Sequence, residues 1–180
     1  EKGEGLLEKP LFYPENRGEG KLEGTKDNNI YYYLGVVKES LGKEEASRCF
    51  ALAELGDNEP AGAMYYYDQP ADMILYKGMA KMKLGKRKEA FACFGKLLDY
   101  GERHLNDEVK NDFFAVSLPD FLIFEDDMDK RNKAHCYYLM GLANLGLGNN
   151  QLAAEKFDKA LEYDFNHQNC RIYKALAERK

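Results

Sequence analysis

Tryptophan is absent from the 180 residues, and histidine occurs three times. His104, His135 and His167 stand in separate contexts, with no nucleophile or metal-ligand spacing around them. The side chain most used for acid–base and zinc chemistry therefore forms no constellation. Cysteine is limited to Cys49, Cys93, Cys136 and Cys170. No pair has the C-x-x-C spacing of a zinc or thioredoxin-type site. Each falls within an expected helix, reads as a small buried hydrophobe and suits a reducing compartment. Long apolar runs are missing, since none approaches the roughly 20 residues of a membrane span, and no signal-peptide pattern opens the chain. An excess of basic charge is missing too. Lys and Arg number 26 against 31 Asp and Glu, interspersed, for a net charge of −5. Nucleic acid and anionic membranes call for a concentrated basic face, so neither is expected as a partner. A cytoplasmic location is expected. The chain begins with Glu1 rather than Met, so an upstream part of a longer polypeptide is expected.

What remains is an ordinary balance of 44% hydrophobic and 32% charged residues, fit for one domain or one compact array of helices. Its order is repetitive. "HCYYLMGLANLGLGNNQLAAEKFDKALEYDFNH" (135–167) carries Tyr137, Met140-Gly141, Gly148, Ala153, Phe157, Ala160 and Leu161. "ILYKGMAKMKLGKRKEAFACFGKLL" (74–98) places Gly78, Gly85, Ala90, Phe94 and Leu97 at the same offsets. "YYYLGVVKESLGKEEASRCFALAEL" (31–55) has Leu34-Gly35, Gly42, Ala46, Phe50 and Ala53, with a turn one residue shorter before Ala46. In each, two glycines stand seven apart. The first lets two helices approach closely, and the second suits the reversal of the chain, where positive φ is tolerated. Alanine and phenylalanine form a buried stripe on the following helix.

This pattern resembles the tetratricopeptide repeat, a helix–turn–helix of 34 residues. The resemblance implies an all-α fold: an α-α superhelix of three tetratricopeptide-like helix pairs, with a helical insertion and a C-terminal capping helix. The repeats are placed at about 28–55, 71–100 and 130–163, with helices at 28–41, 43–55, 71–84, 86–100, 130–147 and 149–163. The cap is 168–180. Residues 1–27 read as an extended lead-in, docked at most by the apolar knot Leu11, Phe12 and Tyr13. Met140 replaces the family's leucine, Phe165 stands where proline is expected, and Lys77 takes another leucine position.

Successive glycine pairs lie 43 and 63 residues apart, so two insertions exceed the period of about 34. The first, 56–70, holds Tyr65, Tyr66, Tyr67 and Asp68. Its tyrosines either pack on adjacent helices or stack on a sugar or peptide, since tyrosine joins a flat apolar face to a polar tip. The second, 101–129, has Leu105, Val109, Phe113 and Val116 at helical spacing, with Asn106 or Asp107 as its cap. Pro119 and the apolar run Phe121–Phe124 follow. Asp126, Asp127 and Asp129 lack the alternating ligands and central glycine of a calcium loop. One of them is expected to cap the next helix, with its neighbours favouring the helix's positive end.

In this family the inner face of each first helix binds the ligand. The matching residues are Tyr32, Val36 and Glu39; Leu75, Met79 and Met82; Tyr138, Leu142 and Leu145. The core of the proposed partner groove is Tyr32, Val36, Leu75, Met79, Tyr138 and Leu142. Such an apolar face calls for a cover. It is either the chain's own Phe121–Phe124 segment or an external one: a hydrophobic peptide, an upstream domain or another copy of the chain. The carboxylate-clamp variety of the family is not expected, because the matching positions hold Tyr32, Val36, Tyr76, His135 and Leu139. The phrases "EPAGAMYYYDQP", "KLLDYGERHL" and "FFAVSLPDFLIFEDDMDKRNKAHCYYLMGLANLGLG" further resemble the C-terminal repeat region of large bacterial proteins associated with carbohydrate-utilisation loci. That resemblance implies a non-catalytic interaction or scaffold module whose partner is a protein. No catalytic residue, metal or cofactor is implied. The alternative is an accessory carbohydrate-binding role through Tyr65–Tyr67.

Overall fold

The computed structural model describes residues 2–14, 16, 27–62, 69–109 and 127–179. Every regular element among them is helical: α1 (Lys2–Glu8), α2 (Asn28–Ser40), α3 (Ala46–Ala53), α4 (Met73–Lys83), α5 (Arg87–His104), α6 (Met128–Gly146), α7 (Asn150–Tyr163) and α8 (Gln168–Ala177). A 3-10 turn, Lys9–Leu11, follows α1. No helix among the described residues is long and apolar enough to cross a membrane. The chain divides into two compact units, one of Glu1–Ala61 with Tyr66–Leu97, the other of Gly62–Tyr65 with Leu98–Lys180.

The same contact recurs in three helical hairpins. A Cβ placed on Gly35 of α2 would lie 2.6 Å from Cε1 of Phe50 on α3. One placed on Gly141 of α6 would lie 2.5 Å from Cε1 of Phe157 on α7, and Gly78 of α4 meets Phe94 of α5 in the same way. Phe94 and Phe157 are fully buried and Phe50 nearly so. Each ring therefore occupies the volume that any side chain at the glycine would need. Seven residues later each first helix ends on a glycine with positive φ: Gly42 at 68°, Gly85 at 76° and Gly148 at 81°. The paired hydrogen bonds that close a helix around such a residue repeat as well. Gly42 donates to Glu39 O and Lys43 to Lys38 O; Gly85 to Met82 O and Lys86 to Lys81 O; Gly148 to Leu145 O and Asn149 to Asn144 O. They satisfy carbonyls that a helix end otherwise leaves open.

Ile74, Leu75, Phe94 and Leu97 are fully buried in the first unit, and Cys136, Leu139, Leu142, Phe157 and Cys170 in the second. Each large apolar side chain so buried contributes about 1.5–3 kcal/mol of transfer free energy. Residue α8 Cys170, with Tyr173 and Ala177, forms that helix's buried stripe, and α8 packs on α7.

Three sequence expectations need correction. Residues 1–27 are not simply extended: 2–8 are helical, and α1 packs on α2. Within the apolar knot Phe12 is 76% exposed and Leu11 half-buried; the buried residue of α1 is Glu4. The second insertion does not begin at Gly101, because α5 runs on to His104. Gly101 is a close-approach glycine inside a helix, where a Cβ would lie 2.7 Å from the Cys136 carbonyl oxygen. No helix forms over 105–109. There the Asp107 N–H donates to His104 O at 3.3 Å, and the Val109 N–H is taken by Asp129 Oδ1 at 2.9 Å. Val116 and the Phe121–Phe124 run lie outside the described residues.

Replacing Gly141 with alanine should destabilise the chain by about 1–3 kcal/mol, the usual cost of overpacking a filled core. Gly95→Ala, on α5 with nothing within 4 Å, should instead be neutral or stabilising by up to ~1 kcal/mol. Urea unfolding of both variants checks the contrast.

Candidate functional site

In the first unit the expected ligand face is graded. Tyr32 at its base is 8% exposed. Its ring sits 5.5 Å from Tyr33, 6.0 Å from Phe50 and 5.9 Å from Tyr76. Burial pushes its phenol pKa up. Leu75 is fully buried, Val36 and Met79 are half-buried, and Met82 and Glu39 are exposed. The outer rim of this face is the part most open to solvent, and there Glu39 pairs with Lys83. Tyr33, 40% exposed and 5.6 Å from Tyr76, presents the aromatic surface that Tyr32 was expected to present. In the second unit Tyr138 is buried against His167 at 4.5 Å, Tyr173 at 6.1 Å and Phe157 at 6.2 Å, and Leu142 is fully buried. The filling groups there come from α7, α8 and the residue that caps α8. Sequence offsets select the face of a helix but not the depth at which each side chain ends.

Both insertions leave the helices through closed necks. At the first, Lys77 reaches from α4 with its side chain inside the protein, 5% exposed. Its Nζ donates to Gly56 O at 2.6 Å and, more distantly, to Asp57 O at 3.5 Å. Gln69 pairs with both backbone groups of Asp57: its Oε1 accepts the N–H at 2.8 Å and its Nε2 donates to the carbonyl at 3.2 Å. Lys77 thus occupies a leucine position because its stem packs like one while its tip satisfies carbonyls of the loop. Burial pulls its pKa down. Tyr65, Tyr66, Tyr67 and Asp68, the expected ligand loop, lie outside the described residues.

At the second neck, the bond from Val109 to Asp129 brings both ends of the insertion together. Asn132 donates to His104 O at 2.7 Å, His104 Nδ1 lies 2.6 Å from Asp107 Oδ2, and the Tyr100 ring lies tilted 4.3 Å from the His104 ring. Asp127 caps α6 by accepting the Lys130 N–H at 3.0 Å, which holds its carboxyl below the usual range. The capping role expected of one aspartate belongs to Asp127; Asp129, in the first turn of α6, also serves the neck.

A third polar group had no sequence signal beyond a glutamate in an acidic, glycine-rich stretch. Glu4 of α1 accepts from Lys43 Nζ at 2.9 and 2.7 Å on its two oxygens and from Lys38 Nζ at 2.9 Å. Glu8 lies 3.8 Å from Lys38. The hydrogen bonds from Lys43 and Lys38 lower the Glu4 carboxyl to about 2, and Glu4 in turn raises Lys38.

All four cysteines are buried. Burial pushes Cys136 and Cys170 up to about 12 and raises Cys49 and Cys93 too, so these thiols stay protonated near neutrality. Among the described residues no group of three or more His, Cys, Asp or Glu could hold a metal ion. The described residues present graded aromatic faces, two loop necks closed by hydrogen bonds and a carboxylate held by two lysines. No family model and no solved structure matches the chain.

Two pH dependences follow. Glu4's hold on α1 is complete above the ordinary value of 4.5 and is lost as pH falls through about 2. Hydrogen exchange of α1, corrected for intrinsic rates, should rise over that window, and Glu4→Gln should abolish the dependence. Lys77 carries the opposite sign. Its folded value is depressed, so the unfolded chain binds its proton more tightly, and stability climbs as pH rises toward 10.5. Relative to Lys77→Met, the parent's urea midpoint should climb as pH is raised toward 10.5, because the variant has lost that titration.

Proposed function

We propose that the chain is a non-catalytic protein-interaction module of three tetratricopeptide-type helix pairs, the C-terminal part of a larger bacterial protein. The observation that carries this reading is the threefold recurrence of one hairpin: Gly35 on Phe50, Gly78 on Phe94 and Gly141 on Phe157, each closed seven residues on by a positive-φ glycine. Repeats of this kind bury a continuous stripe by stacking on neighbours and leave their loops for recognition. Buried Lys77, Gln69 and Asn132 serve the necks of the two insertions, which supports the insertions as the variable, partner-facing parts. The partner in this reading is a protein: an upstream domain of the same polypeptide or a separate chain.

The second reading, an accessory carbohydrate site on Tyr65–Tyr67, draws support from the first neck. Gln69 stitched to Asp57 makes the residues between them leave and return at one place, as a binding loop requires.

Calorimetric titration with the polypeptide encoded immediately upstream of Glu1 tests the first reading. Saturable binding is expected, and bridging Val109 to Asp127 with a short Gly-Ser link in place of 110–126 should weaken it on the order of tenfold or more, the loss of one good interface anchor. No binding, or binding indifferent to the excision, counts against the insertion as the contact. Mono- and oligosaccharide titrations of the parent and Tyr66→Ala test the second; a sugar bound equally by both would sink it.

A further inference from the structure

The packing of α1 on α2 has features of a replaceable contact. A seven-residue helix is too short to persist alone in water, so its helicity comes from its seat. Two of its residues, Gly3 and Gly5, are poor helix formers, yet neither has any atom within 4 Å of where a Cβ would stand. Packing does not require them, and their effect is to keep the helix weak. Leu6 is 56% exposed. What faces the seat is Glu4, Leu7 and Glu8, spaced as one face of a helix, with Glu4 buried and Leu7 half-buried. On the other side Lys38, in the last turn of α2, and Lys43, just past the Gly42 turn, converge on the Glu4 carboxylate. A carboxylate held by two lysines and only 9% exposed is a specific recognition contact, shielded from the solvent that weakens surface pairs.

We propose that the Lys38–Lys43 seat is a docking site for an acidic amphipathic helix with the pattern Glu-x-x-Leu-Glu, and that α1 fills it in cis as a displaceable strap. The partner is a protein segment with stronger helix-forming residues in place of the two glycines. It competes through the same ion pairs and gains because it loses less entropy on becoming helical. This deepens the interaction-module reading by naming one partner chemistry, at a surface separate from the insertions.

The test uses the full chain. Hydrogen exchange of α1, followed by mass spectrometry, is measured with and without a synthetic peptide of residues 1–13 carrying alanine at both glycine positions. Peptide addition should raise α1 exchange saturably, and the effect should weaken with salt. In Lys38→Gln/Lys43→Gln, α1 should exchange fast without peptide, and the peptide should add nothing. Gly3→Ala/Gly5→Ala should slow α1 exchange on the order of tenfold and raise the peptide concentration needed to the same degree. Unchanged α6 and α7 exchange in each variant shows that the fold is intact. The proposal is overturned if saturating peptide leaves α1 exchange unmoved, or if peptide binds the lysine double variant as it binds the parent. Either result leaves the titration with the upstream polypeptide, and so the broader reading, untouched.

Discussion

Where a phenylalanine ring lies in the space of a missing side chain, two helices come closer than any other residue pair would permit. Gly35 with Phe50, Gly78 with Phe94 and Gly141 with Phe157 each set the distance between the helices of a hairpin, and the remaining packing is built on that distance. With the ring in place, Tyr32 and Tyr138 reach Phe50 and Phe157 across their hairpins and become core rather than surface. The close approach also requires that the first helix end promptly. Gly42, Gly85 and Gly148 supply the left-handed backbone that ends it with its last carbonyls satisfied.

Polar residues that a helical core would ordinarily exclude are placed where backbone groups need partners. Lys77 reaches Gly56 O and Asn132 reaches His104 O, while Asn28 donates to both Ala53 O and Leu55 O at 2.7 Å, closing the C-terminal end of α3. In each case a long or forked side chain on a first helix answers carbonyls where a neighbouring chain segment leaves its helix. Leaving such carbonyls buried and unpaired costs about 1–3 kcal/mol apiece. Departures from an apolar repeat pattern therefore mark the exits of loops, and the loops are the parts of this protein that do not repeat.

Much of the local structure was legible in the residues. The hairpin helices, the turn glycines and a capping aspartate before α6 all follow from spacing and backbone preference, which act over a few residues. Lys77 was visible as a departure, though its partner was not. Gly101 was read as the start of an insertion because a helical glycine in close contact and a turn glycine look alike without the opposing helix. Tyr33 was passed over for Tyr32 because one helical turn offers adjacent residues to different depths, and depth depends on neighbours from α3 and α4. Glu4 carried no signal, since the lysines that bury it are 34 and 39 positions away.

The chain's own order of residues decided that it is helical, where the hairpins reverse and which glycines cannot be replaced, because propensity, capping and positive φ are properties of short segments. Tertiary structure alone decided that α1 folds against α2, that the tyrosines of the expected groove lie buried, and that Asp129, in the first turn of α6, also closes a neck. Each of those outcomes turns on groups brought together from distant positions, and such encounters are set by the packing of whole helices on one another.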